Sequence, residues 1–213
     1  MSTLARLKAA GRSLAVAVLA GGALAVAPAD AATGPAVGQP APAFTATDSQ
    51  GHTQSLADYR GKVVVLEWTN HDCPYVGKQY RSGNMQALQK QAAANGVVWL
   101  SVISSAPGEQ GYVSGDQANR LTTERNAAPA AVLLDPAGNL GRAYNAKTTP
   151  HMYIVAPDGT LVYMGAIDDQ PNTSGDPAKA RNYVSEALQA VAAGKPVAAP
   201  STAAYGCSVK YGG

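Results

Sequence analysis

Residues 63–80 read VVVLEWTNHDCPYVGKQY, and the order of residue types in that stretch decides the fold class. Val63, Val64, Val65 and Leu66 form a short continuous apolar run, the pattern of a strand buried on both faces of a parallel sheet. Trp68 to Asp72 leads out of the run, and Cys73-Pro74 opens a helical segment predicted over Pro74–Ala94. Proline is favoured at the first helical position, where its missing N–H would have had no partner anyway. Cys73 therefore falls at the helix N-cap. There the unpaired backbone N–H groups and the helix dipole favour thiolate over thiol. Such a thiolate is a nucleophile toward disulfides and peroxides and a ligand for soft metals. His71 offers it a positive partner when protonated, whereas the Asp72 carboxylate raises a neighbouring thiol's pKa. The competing reading is an inert buried thiol, because free cysteines often serve as small core hydrophobes.

Working outward, the buried-strand signal recurs at Val97–Ile103 and Ala131–Leu134. Helical segments are predicted between and after these runs, at Asp116–Asn126 and Leu140–Tyr144. Strands alternating with helices imply an α/β domain with a central sheet flanked by helices. Phe44–Leu56 holds the turn dipeptide Gln50-Gly51 and reads as an entry hairpin. Met152–Val155 and Thr160–Met164 flank Pro157-Asp158-Gly159, a turn signal for an antiparallel pair, which makes the sheet mixed. A last helix is predicted with Asp176 as cap and Pro177 first inside. Its stripe is Ala180, Tyr183, Val184, Ala187, Leu188 and Val191, and Gly194 and Pro196 stop it. Asp168-Asp169 reads as a solvated acidic corner.

The composition narrows the function classes. The chain has 213 residues, 46% of them hydrophobic, a formal charge of +2 and two cysteines. Two cysteines build neither a disulfide-dense scaffold nor a zinc ribbon. No basic field is present to hold nucleic acid. Arg6, Lys8 and Arg12 precede the apolar stretch Ser13–Ala27, and Ala29-Asp30-Ala31 follows. That order reads as a secretory signal peptide over residues 1–31. Its removal would leave equal numbers of acidic and basic residues and no segment able to span a bilayer. The expected organisation is an extended leader at 32–43, a domain at 44–194 and a tail at 195–213, exported to the periplasm or beyond.

The residues also resemble a known family. Pro40-Ala41-Pro42-Ala43-Phe44, Asp48, Gly51, Leu56, Tyr59 and Gly61–Leu66 resemble the entry signature of redoxins, the alkyl hydroperoxide reductase and thiol-specific antioxidant superfamily. Trp68–Tyr80 is similar to the redoxin active-site strand end and helix. Thr149-Pro150, followed by the Pro157-Asp158-Gly159 hairpin, resembles the segment that holds the thioredoxin-fold cis-proline. The resemblance implies a thioredoxin-like fold from about residue 38 to 192. It also implies that Thr149, before Pro150, presents its backbone to a substrate chain beside Cys73; Thr149, Pro150, His71 and Pro74 are the expected substrate-positioning residues, and His151 reads either as a neighbour of the site or as a hydrogen-bonded strand residue.

The departures are specific. Cys73-Pro74-Tyr75-Val76 lacks the second cysteine of C-x-x-C, and Leu66 and Asn70 stand where peroxiredoxins resemble P-x-x-x-T-x-x-C. The nearest likeness is an uncharacterised peroxiredoxin-like branch with an Asn-His-Cys-Pro site, against which Asp72 is an insertion. Exported copper carriers of this fold resemble C-x-x-x-C with a distant His, so no metal is expected. Nor is a flavin or nicotinamide cofactor.

Cys207 is the remaining thiol. The 13 residues from Gly194 to Cys207 can extend about 43 Å, and a globule of this size has a radius of gyration near 16 Å. The tail can therefore bring Cys207 to Cys73. It would act there as a resolving cysteine on a sulfenic acid or mixed disulfide, recycled by an external dithiol donor. Alternatively it would close a permanent clamp worth roughly 5 kcal/mol in the chain-entropy account.

Overall fold

The computed structural model describes residues 34–213, so the proposed signal peptide lies outside the described residues. Seven strands form the main sheet: β1 Thr45–Asp48, β2 Thr53–Ser55, β3 Val64–Trp68, β4 Val98–Ile103, β5 Ala131–Leu134, β7 His151–Val155 and β8 Leu161–Gly165. Their spatial order is β2-β1-β5-β4-β3-β7-β8. The three apolar runs β3, β4 and β5 pair in parallel, and the two hairpins add antiparallel strands at the edges. Two short strands, β6 Thr148–Thr149 and β9 Cys207–Ser208, pair separately and antiparallel.

Alternation along β3 builds two core layers. Val64, Leu66 and Trp68 face Tyr144, Tyr153 and Leu161 on one side. Val65 faces the other side, where α1 Pro74–Arg81, α2 Asn84–Ala94 and α5 Tyr183–Ala192 contribute Val76, Tyr80, Met85, Leu88 and Val184. At the far end of that face, α3 Gly115–Glu124 sets Ala118 against Ile103 and Val132. The short α4 Asn139–Ala143 lies after β5.

Two helices differ from their sequence expectation. The segment 74–94 is divided into α1 and α2 because Gly83 adopts a left-handed φ of 79°, which only glycine takes freely. Asp176-Pro177 does form a capped turn, but only the 3-10 turn Pro177–Lys179. Asp169 accepts the Arg181 N–H at 3.0 Å, and the Asp169 N–H bonds back to the Arg181 carbonyl at 3.2 Å. That pairing holds the chain extended, so α5 starts at Tyr183 with Asn182 as its cap.

The ends of the domain are sewn down. The Gly38 and Ala41 N–H groups donate to Leu161 and Gly159 carbonyls at 2.8 and 2.9 Å. At the other end Thr202 bonds β8, Val209 N–H reaches the Lys147 carbonyl at 3.0 Å, and Ala106 N–H reaches that of Lys210 at 2.8 Å. Tyr211 donates to the Ala146 carbonyl at 2.7 Å and lies under the Arg142 guanidinium.

Candidate functional site

The pairing of β3 with β7 sets His151 opposite Trp68, which brings the Thr149–Pro150 peptide to the same sheet end as the loop that leaves β3. That peptide is cis. The loop is shaped by Asn70, whose carboxamide oxygen accepts the Asp72 N–H at 2.9 Å and whose carbonyl accepts the Cys73 N–H at 3.2 Å. Cys73 is then the N-cap of α1, with Pro74 inside the first turn. Only 1% of Cys73 is exposed.

The structure brings Cys207 to Cys73. Cys207 sits on β9 in register with Thr149, and its side chain packs against the cluster that contains Cys73. Both cysteines are free thiols. The close approach of this strand depends on Gly206, at φ 140°, since a Cβ there would lie 2.0 Å from the Thr149 carbonyl oxygen. Tyr205 packs at a tilt against Tyr75, and the Lys78 ammonium sits 5.3 Å from the centre of the Tyr205 ring.

The electrostatics divide the two sulfurs. Burial pushes the Cys73 thiol up, but hydrogen bonding from the Cys207 thiol, the Val76 amide and the Cys207 amide outweighs it. Its pKa ends below the ordinary cysteine value. The 3.0 Å contact from Cys73 Sγ to the Thr149 carbonyl favours the protonated thiol, and it is outnumbered by those donors. Cys207 moves the other way, pushed up to about 12 by burial, by its hydrogen bond to Cys73 and by the neighbouring negative sulfur. Of the two sulfurs, Cys73 therefore gives up its proton first.

His71 is not directed at the thiol. Its Nε2 lies 3.3 Å from the Asp72 carboxylate, and its Nδ1 is buried without a partner. His151 is 9% exposed, accepts the Lys147 N–H on Nδ1 at 3.3 Å and lies 3.1 Å from the Tyr153 hydroxyl. Burial, then the Lys147 charge, lowers its pKa from 6.5 to about 4. The native state therefore holds this ring neutral. The stability it contributes is present above pH 6.5 and lost as pH falls through about 4. In urea unfolding, the wild type is expected to lose on the order of 3 kcal/mol more than His151→Gln between pH 7 and pH 4. Equal losses would show that the ring titrates normally.

Two carboxylates were poorly legible in the sequence. Asp168 is 1% exposed rather than solvated, because Gln79 donates to it at 2.6 Å, the Gln170 N–H at 2.9 Å, and the Tyr205 hydroxyl also bonds it. Glu67, the penultimate residue of β3, is wholly buried and ties Tyr80 of α1 to the sheet. A glutamate inside the run VVVLEW was the available signal.

The AhpC/TSA family model matches residues 37–164. The chain belongs to the AhpC/TSA family. The matched part of this AhpC/TSA chain holds Cys73 and Thr149-Pro150 and ends before α5 and the tail that carries Cys207. Among curated proteins, thiol-disulfide oxidoreductase ResA of Geobacillus kaustophilus (strain HTA426) is 28% identical over 136 residues, 61% of this chain and 68% of that protein. An uncharacterized conserved protein from Geobacillus kaustophilus has a solved structure with TM-score 0.74 at 25% identity, covering 83% of this chain and 93% of that one. A hypothetical protein from Sinorhizobium meliloti 1021 superposes with TM-score 0.71 at 22% identity, over 83% and 95% of the two chains. The fold is the thioredoxin-like fold expected of a redoxin, a mixed sheet between helices.

Proposed function

We propose that this protein is an exported thiol-based oxidoreductase in which Cys73 is the nucleophile and Cys207 the resolving cysteine. The contact between two free thiols, one capping α1 and the other facing Thr149 on β9, carries the reading. Membership of the AhpC/TSA family and a relative named as a thiol-disulfide oxidoreductase support thiol redox chemistry.

With a disulfide substrate, the Cys73 thiolate attacks one sulfur and the other substrate sulfur leaves as thiolate. Cys207 then attacks Cys73 Sγ, expelling the second substrate thiol and closing Cys73–Cys207. With a hydroperoxide, Cys73 takes the terminal oxygen and an alcohol or water leaves. The resulting sulfenic acid condenses with Cys207 and releases water. Cys207 gives up its proton only as it attacks, and the leaving thiolate or hydroxide accepts it. An external dithiol donor then returns both cysteines to thiols. Thr149 and Pro150 fix the strand opposite the nucleophile, Pro74 fixes the helix start, and His71 with Asp72 closes the loop before it. Residues 1–31 act as the export signal, 44–194 as the redox domain and 195–213 as the arm that delivers Cys207.

A second reading has its own support, because Tyr205 and Tyr211 pin the tail on either side of Cys207. Under it, the Cys73–Cys207 bond is a static clamp in a redox-inert scaffold. A glutathione redox titration, with free thiols trapped by alkylation, separates the two. The oxidoreductase reading expects a potential between about −120 and −270 mV, whereas a bond resisting reduction below about −300 mV establishes the clamp.

A further inference from the structure

We infer that the cleft between the start of β7 and the tail is a binding site for a small organic carboxylate with an apolar body. The cleft measures about 310 Å³, at the lower end of small-molecule sites. His151 and Tyr153 of β7, Lys147, Met164 of β8 and tail residues 201–204 line it. In the β3–β7 register His151 lies opposite Trp68, so it shares the Trp68 face of the sheet. Cys73 belongs to the cluster on the other face. The site is therefore separate from the cysteine pair, and the inference does not rest on the redox reading.

An unused hydrogen-bond donor is the first argument. His151 is 9% exposed, and its Nδ1 accepts the Lys147 N–H at 3.3 Å. That nitrogen carries no proton, so the neutral ring holds its proton on Nε2. Nε2 has no hydrogen-bond partner among the described residues, and it is not among the polar atoms sealed from solvent. A nearly buried N–H of this kind gains most from an acceptor that enters from the cleft.

Charge and surface chemistry select the acceptor. Lys147 is exposed, and its ammonium is close enough to act electrostatically on the His151 ring. No acidic residue lines the cleft among the described residues. An N–H and an ammonium without a competing anion favour a carboxylate, held by charge-assisted hydrogen bonds. Met164, Ala203 and Ala204 offer apolar wall for the rest of the ligand. Those side chains favour hydrocarbon over a wholly hydrated anion such as phosphate.

Calorimetry of the reduced mature chain, with benzoate as the probe, tests the assignment. One-site binding of benzoate is expected, with benzamide at least about tenfold weaker because it lacks the charge. No saturation below about 10 mM benzoate, equal binding of benzamide, or tighter binding of inorganic phosphate overturns the inference. Lys147→Glu should weaken benzoate at least about fivefold, and an unchanged affinity removes the carboxylate from this cleft. Nitrogen NMR of the histidine rings locates the ligand, with His52 and His71 as internal references. The expected spectrum shows His151 protonated on Nε2 and that resonance alone moving as benzoate is added. A proton on Nδ1 instead, or a His151 signal that stays still while benzoate binds, places the ligand elsewhere and overturns the inference.

Discussion

Cys73→Ser is expected to abolish turnover of disulfide or hydroperoxide substrates, a loss of about 10³-fold or more, while the protein stays folded. A serine hydroxyl is somewhat smaller than the thiol and still able to hydrogen-bond, but it is not ionised near neutral pH, so no thiolate is available as nucleophile. The stability cost should stay near 1 kcal/mol, because the buried hydroxyl can still donate to the Thr149 carbonyl. Cys207→Ser provides the contrast. It should leave the first chemical step intact and halt the cycle at a Cys73 mixed disulfide or sulfenic acid, visible as a single-turnover burst. In the wild type, the alkylation rate of Cys73 should reach its midpoint below the ordinary cysteine pKa, with Cys207 reacting only at much higher pH. Substrate turnover by Cys73→Ser at the wild-type rate would remove Cys73 from the mechanism.

The legible part of this site was local. A proline directly after Cys73, and an apolar run directly before it, place the thiol at a helix start using a few neighbouring residues. The strands β3, β4 and β5 are legible for the same reason, since each is a short, mostly apolar run. What the sequence concealed depends on partners far along the chain. Asp168 looks solvated until Gln79, 89 residues away, reaches it. Asp176-Pro177 is a real capping signal, but the Asp169–Arg181 pairing keeps the helix from starting there. The reach of the tail was calculable, whereas its register was not. Nothing in Tyr205-Gly206-Cys207 announces that Cys207 will lie opposite Thr149. Gly206 permits that approach by what it lacks, a Cβ.

Glu67 gives the second large effect, on stability. Its Oε1 accepts from the Tyr80 hydroxyl at 2.9 Å, and its Oε2 from Trp99 Nε1 at 2.8 Å, Ser101 Oγ at 3.0 Å and Gln89 Nε2 at 3.2 Å. Glu67→Leu would leave those donors buried without an acceptor. Each orphan costs about 1–3 kcal/mol, and with partial rearrangement the total should be about 3–5 kcal/mol. Glu67→Gln keeps a carbonyl for Trp99 and Ser101 and turns its amide toward the Tyr80 oxygen, so its loss at low pH should be small. The pH dependence then identifies the charge. Burial raises the Glu67 pKa above 4.5 even against four hydrogen bonds, so the native state prefers the protonated carboxyl. Its contribution is complete below pH 4.5 and declines as pH rises through the raised folded value. Urea unfolding of the wild type should therefore weaken relative to Glu67→Gln across that window, and parallel curves would mean that the carboxyl is not shifted. Because Tyr80 lies in the helix that Cys73 caps, the Leu variant should also blunt Cys73 alkylation at neutral pH. The buried carboxyl secures α1 to β3, and through that helix it holds the thiolate against its donors.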